Sequence, residues 1–212
     1  EWCTFCSALC NDQKIEYKDI DINLENSSNI EENARKKRYL SLKSELRVGE
    51  ILCTAHHQED QAETFLLQLF RGSGVAGLAS MPKIKSIGDS ELYRLFLNIS
   101  KQKIIDYASK NHLKWIEDDS NLDTNFKRNL LRIEFLPKLS SAFNGLIKNV
   151  SRSAAHQAEA LKLMQDLAEL DIKNFELLVN NKIQVSSLIE LPKRRIVNVL
   201  RYYIANLGFL LP

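Results

Sequence analysis

The sequence predicts an α/β domain built on a parallel sheet over residues 1–139, followed by a small all-helical domain over residues 140–212. Three observations carry that expectation. The stretch 51–77, ILCTAHHQEDQAETFLLQLFRGSGVAG, opens with a short apolar run and breaks at two histidines. It resumes with helical period at Ala62, Phe65, Leu66, Leu69 and Phe70 until Gly72 stops it. This reads as a buried strand feeding a helix, the unit from which parallel sheets are made. Further strands are expected at 92–97 and at 113–116, the second with acids at its carboxyl end. After Pro137 the composition changes, and helical periodicity dominates to the end of the chain.

Taken in order, residues 1–11 read as the tail of a helix whose beginning lies outside the chain. Residues 14–22 alternate Ile15, Tyr17, Ile20 and Ile22 with charges, as a strand near the sheet edge would. Residues 23–30 are polar and turn-rich, and a helix is expected over 31–46. The glycines Gly72, Gly74 and Gly77 mark a flexible turn, and 81–91 a polar loop. Ser100 is placed to cap a helix running to about residue 111, with Ile104, Ile105 and Ala108 inward. An amphipathic element over 125–139 is closed by Pro137. A long helix or helix pair follows over 143–180, with Leu146, Ile147, Val150, Ala154, Ala158, Leu161, Met164, Leu167 and Leu170 on its inner side. Residues 182–191 read as a turn with a short extended piece, and Pro192 starts a final helix over 193–206.

The 212 residues, 44% hydrophobic and 26% charged, have room for one domain and part of a second. No apolar run reaches the twenty residues that a membrane span needs. The chain starts at Glu1 without the charged leader and apolar stretch of a secretory signal, so a truncation or altered gene start is the simpler expectation. A net charge of +2 is too small to announce a polyanionic partner, and local clusters matter more. Cys3 and Cys6 have the two-residue spacer of a metal site, but no second spaced pair follows. Cys3, Cys6 and Cys10 therefore read as reduced thiols on an amphipathic helix, with Cys53 in a core strand and no metal site expected.

The chemistry gathers at the carboxyl ends of strands, where parallel sheets place their ligands. There His56 and His57 precede the first helical turn, and Asp60 and Glu63, three apart, share one face of it. His57 stands three residues from Asp60 and can lie near it. Taken alone, the His-His-x-x-Asp-x-x-Glu spacing also suits a divalent-metal hydrolase, because imidazole and carboxylate are hydrolytic metal ligands. Three consecutive acids, Glu117, Asp118 and Asp119, suit magnesium, but Asp-Ser-Asn is also turn and cap chemistry, and the structural role weighs more. Arg128 and Arg132, four apart, point the same way, and a guanidinium fork fits a carboxylate or phosphate with two bonds. The run Arg35, Lys36, Lys37 and Arg38 reads equally as a solvated helix face. Lys148, Arg152, Lys193, Arg194, Arg195 and Arg201 make the second half basic, as an RNA-facing domain or an ordinary helical cap would be.

Two separated blocks carry a resemblance. His56-His57-Gln58-Glu59-Asp60-Gln61-Ala62-Glu63-Thr64 with Arg71-Gly72-Ser73-Gly74 and Gly77-Leu78, and then Trp115-Ile116-Glu117-Asp118-Asp119-Ser120-Asn121 with Arg128-Asn129, resemble the tRNA(Ile)-lysidine synthetase family of the PP-loop ATP pyrophosphatase group. Ala34-Arg35-x-x-Arg38-Tyr39 matches a third pattern of that family, on a helix beside its cleft. The resemblance implies a Rossmann-like sheet of the PP-loop, HUP-type kind. It implies a ligase that uses ATP and Mg2+ to join free L-lysine to the wobble cytidine of an isoleucine tRNA with a CAU anticodon. Cytoplasmic location follows from it, and a homodimer is one expected association. Asp60 and Glu63 are then the positions that hold lysine, Arg128 is an active-site arginine, and His56 and His57 position the nucleotide. Arg35, Arg38, Arg71, Arg132 and Arg194 form the expected tRNA-binding set.

Two departures stand out. The family has proline after the arginine at position 94, where Leu95 stands here, which puts the local loop geometry in question. The family's Ser-Gly-Gly-x-Asp-Ser phosphate loop does not occur in the sequence, so the first domain is expected to be incomplete at its N-terminus and the chain alone inactive. A tRNA thiolase of the same group, the metal-dependent hydrolase and a catalytically inactive RNA-binding remnant are the alternatives. The thiolase wants a cysteine pair near the cleft, and the hydrolase leaves the second block unexplained.

Overall fold

The computed structural model describes residues 2–23 and 30–209. Helix α1 (Trp2–Asp12) and helix α2 (Ile30–Glu45) precede a three-stranded sheet made of β1 (Ile51–Thr54), β2 (Ile84–Ile87) and β3 (Ser90–Arg94), in the order β1-β3-β2. Between β1 and β2 lie α3 (Gln58–Phe70) and the one-turn α4 (Val75–Leu78). β1 and β3 run parallel with Leu52 opposite Leu92 and Thr54 opposite Arg94, and β2 returns antiparallel on the far side of β3. The crossover through α3 therefore delivers the expected parallel pair.

Several expected elements differ. Residues 14–22 form no strand, and neither do 113–116. Among the described residues no strand pairs with the alternation at Ile15, Tyr17 and Ile20, and Ile15 is 61% exposed. The expected polar turn at 23–30 falls largely outside the described residues. The loop at 81–91 contains β2, whose strand character comes from pairing with β3 and not from its own weakly apolar sequence. β1 is less buried than its apolar residues suggest. Ile51 is 51% exposed and Cys53 is exposed, while the central strand β3 buries Ser90, Leu92 and Arg94. Burial follows position in the sheet, and β1 lies at its edge.

Beyond β3, Ser100 caps α5 (Lys101–Lys110) by accepting the Lys103 amide, as its sequence requires. Ile104 and Ala108 face inward while Ile105 is 37% exposed. A turn of 3₁₀ helix (Asp119–Leu122) leads into α6 (Lys127–Leu130), a π turn (Leu131–Phe135) and α7 (Leu136–Ala142). Pro137 does not close this element. It stands in the first turn of α7, where no amide partner is required of it.

The long helix α8 (Leu146–Asn174) organises the remainder. Its first half packs on α3 and α4, where Leu66, Leu131 and Leu136 form a core with Phe65, Leu67, Leu146, Ile147 and Val150. Its second half joins α9 (Val185–Leu188) and α10 (Lys193–Asn206) in another core of Ala168, Leu177, Leu188, Leu191 and Val199. The expected inner face holds through Met164 but not beyond, since Leu167 and Leu170 are 40% and 55% exposed. Ala168 and Asp171 are buried in their place, both at 0%. Asp171 is tolerated there because both its oxygens pair with Arg195, whose guanidinium also lies 6.0 Å from the Phe175 ring centre. Arg195, 36% exposed, is thus committed to a buried acid and is not a free cation of a basic surface. The second half is not wholly helical, because β4 (Leu178–Val179) and β5 (Lys182–Ile183) form a short antiparallel hairpin.

Candidate functional site

The loops that follow β1 and β3 are tied together at the start of α3. Leu95 donates its amide to Thr54 O at 3.3 Å, a bond that proline could not make, so the local departure is absorbed into the sheet. Gln58 donates to Ile99 O at 2.9 Å, and the Glu59 carboxylate accepts the Lys101 amide at 2.7 Å. Burial pushes the Glu59 carboxyl up, but His57 beside it and the Lys101 amide outweigh that and hold it below the ordinary value. Glu59 and Asp60 fall in the first turn of α3, where carboxylates suit the positive end of the helix dipole.

Asp60 Oδ2 accepts the His57 backbone N–H at 3.0 Å. One turn on, Glu63 is completely buried, and Arg132 grips it with two bonds, Nε to Oε1 at 2.7 Å and Nη2 to Oε2 at 2.9 Å. The same Nη2 reaches Asp60 Oδ1 at 3.2 Å. Arg128 donates from Nη2 to Thr64 Oγ1 at 2.8 Å, and its Nε lies 3.5 Å from Glu63 Oε2. Hydrogen bonding to Glu63, stronger than the opposing burial, raises the Arg132 pKa further above its ordinary value. The two acids and two arginines, more than sixty positions apart in sequence, therefore form one cluster beyond the carboxyl ends of β1 and β3.

The second sequence block positions these arginines. Asn129, 9% exposed, donates its side-chain amide to Ser120 O and Asp123 O at 2.9 Å each, tying the acidic turn to α6. Asp118 caps that turn by accepting the Ser120 amide at 2.9 Å. The π turn opens at Leu131, beside Arg132, and such insertions re-aim a helix face.

His56 is half-buried with Nδ1 2.9 Å from Thr54 Oγ1. Burial lowers its pKa below 6.5, and the charges of Arg94, Arg128 and Arg38 lower it further against the opposing pull of Asp60. His57 Nδ1 lies 3.1 Å from Glu59 Oε2 and Nε2 3.4 Å from Asp60 Oδ2. Arg94, 6% exposed, is held by the Pro82 carbonyl through one guanidinium nitrogen, and its Nε has no hydrogen-bond partner among the described residues.

Of the expected RNA-contacting arginines, Arg132 is drawn into the acid cluster. Arg35 and Arg38 are exposed on α2, and the charge of Arg38 is felt at His56. Arg71 caps the far end of α3, eleven residues and about 16 Å from Asp60. Arg194 is exposed in the first turn of α10. Sequence reasoning passed over Glu59, Thr64 and Gln61. Gln61 clamps the backbone of Met81 with both ends of its amide, at 3.0 and 3.1 Å. All three lie within the quoted signature, but nothing in the sequence shows which backbone group or side chain each would meet.

A family model described as PP-loop domain matches residues 1–139. Curated relatives match along the whole chain. A tRNA(Ile)-lysidine synthase from Coxiella burnetii is 42% identical over 100% of this chain and 47% of its own length. One from Legionella pneumophila is 38% identical over 100% of the chain and 49% of its own length, and one from Hydrogenovibrio crunogenus 37% identical over 96% and 50%. The chain spans about half the length of the curated relatives it matches. With the strand-end cluster and the profile match in agreement, the chain belongs to the PP-loop domain family, and its similarity within that family is to the tRNA(Ile)-lysidine synthases.

Proposed function

We propose that this chain carries the amine-handling part of a tRNA(Ile)-lysidine synthetase, an ATP-dependent ligase that joins L-lysine to C2 of the wobble cytidine of isoleucine tRNA. The observation that supports it is the meeting of Asp60, Glu63, Arg128 and Arg132 at the mouth of the parallel strands. ATP serves as substrate. The cytosine C2 oxygen attacks the α-phosphorus and pyrophosphate leaves, which turns a poor leaving group into a good one. The lysine ε-nitrogen then forms a bond to C2, AMP departs with the oxygen, and the nitrogen gives up a proton.

Each residue has a task in that scheme. Asp60 receives the ammonium of lysine, since its side chain is the more accessible of the two acids, 14% exposed against 1% for Glu63. Neutralising an amine of pKa about 10.4 at pH 7 costs about 4.6 kcal/mol, so a carboxylate that first binds the cation must also help relay its proton. Arg128, 31% exposed, offers positive charge to the lysine carboxylate or to the charge that develops on the leaving phosphate. His56, kept neutral by burial, positions the nucleotide together with His57 without adding charge repulsion among the nearby arginines. Arg35, Arg38, Arg71 and Arg194 contact the tRNA. Magnesium finds no built donor set, because among the described residues no three His, Cys, Asp or Glu side chains are placed to hold a metal ion. A cytoplasmic location and a homodimer belong to the same proposal. Among the described residues no helix is long and apolar enough to cross a membrane.

The test uses the protein as its gene encodes it. Asp60→Asn is expected to raise the KM for labelled lysine at least tenfold while ATP-dependent adenylation of the tRNA persists. Undiminished lysine incorporation by that variant removes the assigned role.

A further inference from the structure

Glu63 and Asp60 are engaged unequally by the same guanidinium. Glu63 is sealed from solvent and holds Arg132 through both oxygens. Asp60 has one oxygen committed to the His57 backbone, and the other receives a single, longer bond of 3.2 Å from Arg132 Nη2. That Nη2 is shared, because it also serves Glu63 Oε2 at 2.9 Å. An alkylammonium arriving at Asp60 needs the oxygen that Nη2 now contacts. The exchange is mild, because Nη2 keeps its Glu63 bond and one cation replaces another at the Asp60 carboxylate.

We propose that Arg132 is a positioning residue that lends Nη2 to Asp60 and yields that contact to the ammonium of the amine substrate, while its two-bond grip on Glu63 stays in place. The proposal rests on Asp60 as the amine-binding carboxylate of the function given above. It divides the two acids. Asp60 meets the substrate, whereas Glu63 acts through Arg132 and does not touch the amine. It also supplies a filter, since a neutral ligand has no charge with which to displace the guanidinium from Asp60.

Lysine KM, measured by labelled-lysine incorporation at saturating ATP and tRNA, and equilibrium binding of labelled lysine together test it. In Glu63→Gln the guanidinium loses its main counter-charge and leans on Asp60, so the lysine KM and Kd are expected to rise about tenfold or more. In the double variant Glu63→Gln/Arg132→Gln the competitor is gone, and both constants are expected to return to within about threefold of the parent. An unchanged lysine Kd in the single variant overturns the exchange. A weakened Kd that persists in the double variant overturns it too, because Glu63 would then contact the ammonium itself. The underlying reading fails separately, by normal lysine binding in Asp60→Asn, whereas failure of the exchange alone leaves Asp60→Asn defective.

Discussion

At the scale of single residues, environment and not identity sets chemistry in this cluster. His56 and His57 are adjacent and chemically identical, yet one is half-buried against Thr54 and under the charge of three arginines while the other faces two carboxylates. Because burial lowers the His56 pKa in the fold below 6.5, the unfolded chain binds the extra proton first as pH falls. His56 therefore lowers stability on acidification from pH 6.5 down to its depressed folded value, and has no effect on the slope above that window. Urea midpoints measured between pH 7 and 5 are expected to fall with pH, and His56→Gln to fall less steeply. Equal slopes would show that the ring takes up its proton equally in both states. Arginines follow the same logic. Arg128 and Arg132 are correctly paired by their spacing of four, but only the position of Glu63 decides that Arg132 closes on acids instead of standing open to RNA.

At the scale of elements, the joint between α3 and α4 shows why the glycines after the helix matter. A Cβ at Gly77 would stand 2.5 Å from Ser73 Cβ and 2.8 Å from its Oγ, which is itself bonded to Gln68 at 2.8 Å. Gly77→Ala should thus destabilise the protein by about 1–3 kcal/mol in denaturant unfolding, by overpacking. Adding Ser73→Gly should recover most of the loss. Full stability in the single variant would mean that α4 can shift along α8 at no cost. Helix α8 illustrates a different limit of periodicity. A leucine-based reading keeps Leu167 and Leu170 inward, but the helix turns Ala168 and Asp171 to the core. A small residue lets α10 approach closely, and a charge is admitted because Arg195 arrives from that helix to meet it. No single-chain hydrophobicity pattern marks an acid as core.

At the scale of the molecule, α8 serves two cores. Its first half covers Leu66, Leu131 and Leu136, and its second half builds the cluster around Val199. The division at residues 139 and 140 is therefore proposed as a division of labour, amine chemistry with the Arg35, Arg38 and Arg71 contacts before it and the Arg194 contact after it, while packing carries the first core on into α8. A fragment of residues 1–139 loses Leu146, Ile147 and Val150 from that core and is expected to unfold at a lower midpoint than a fragment extended through Ala158. Equal midpoints would show that α8 contributes nothing to the first core.

By itself the sequence determined where helices start and stop at 58–70, 101–110 and 193–206, because caps, glycines and prolines act through neighbours in the chain. It also determined that Asp60 and Glu63 share a helical face at a strand's end, since a spacing of three is fixed by the helix alone. Tertiary structure alone decided that 84–87 is a strand and 14–22 is not, for a strand exists only through its partner. It alone decided that Glu63 is sealed and owned by Arg132 while Asp60 stays within reach of solvent, because burial and the pairing of distant charges are settled only when the whole chain packs.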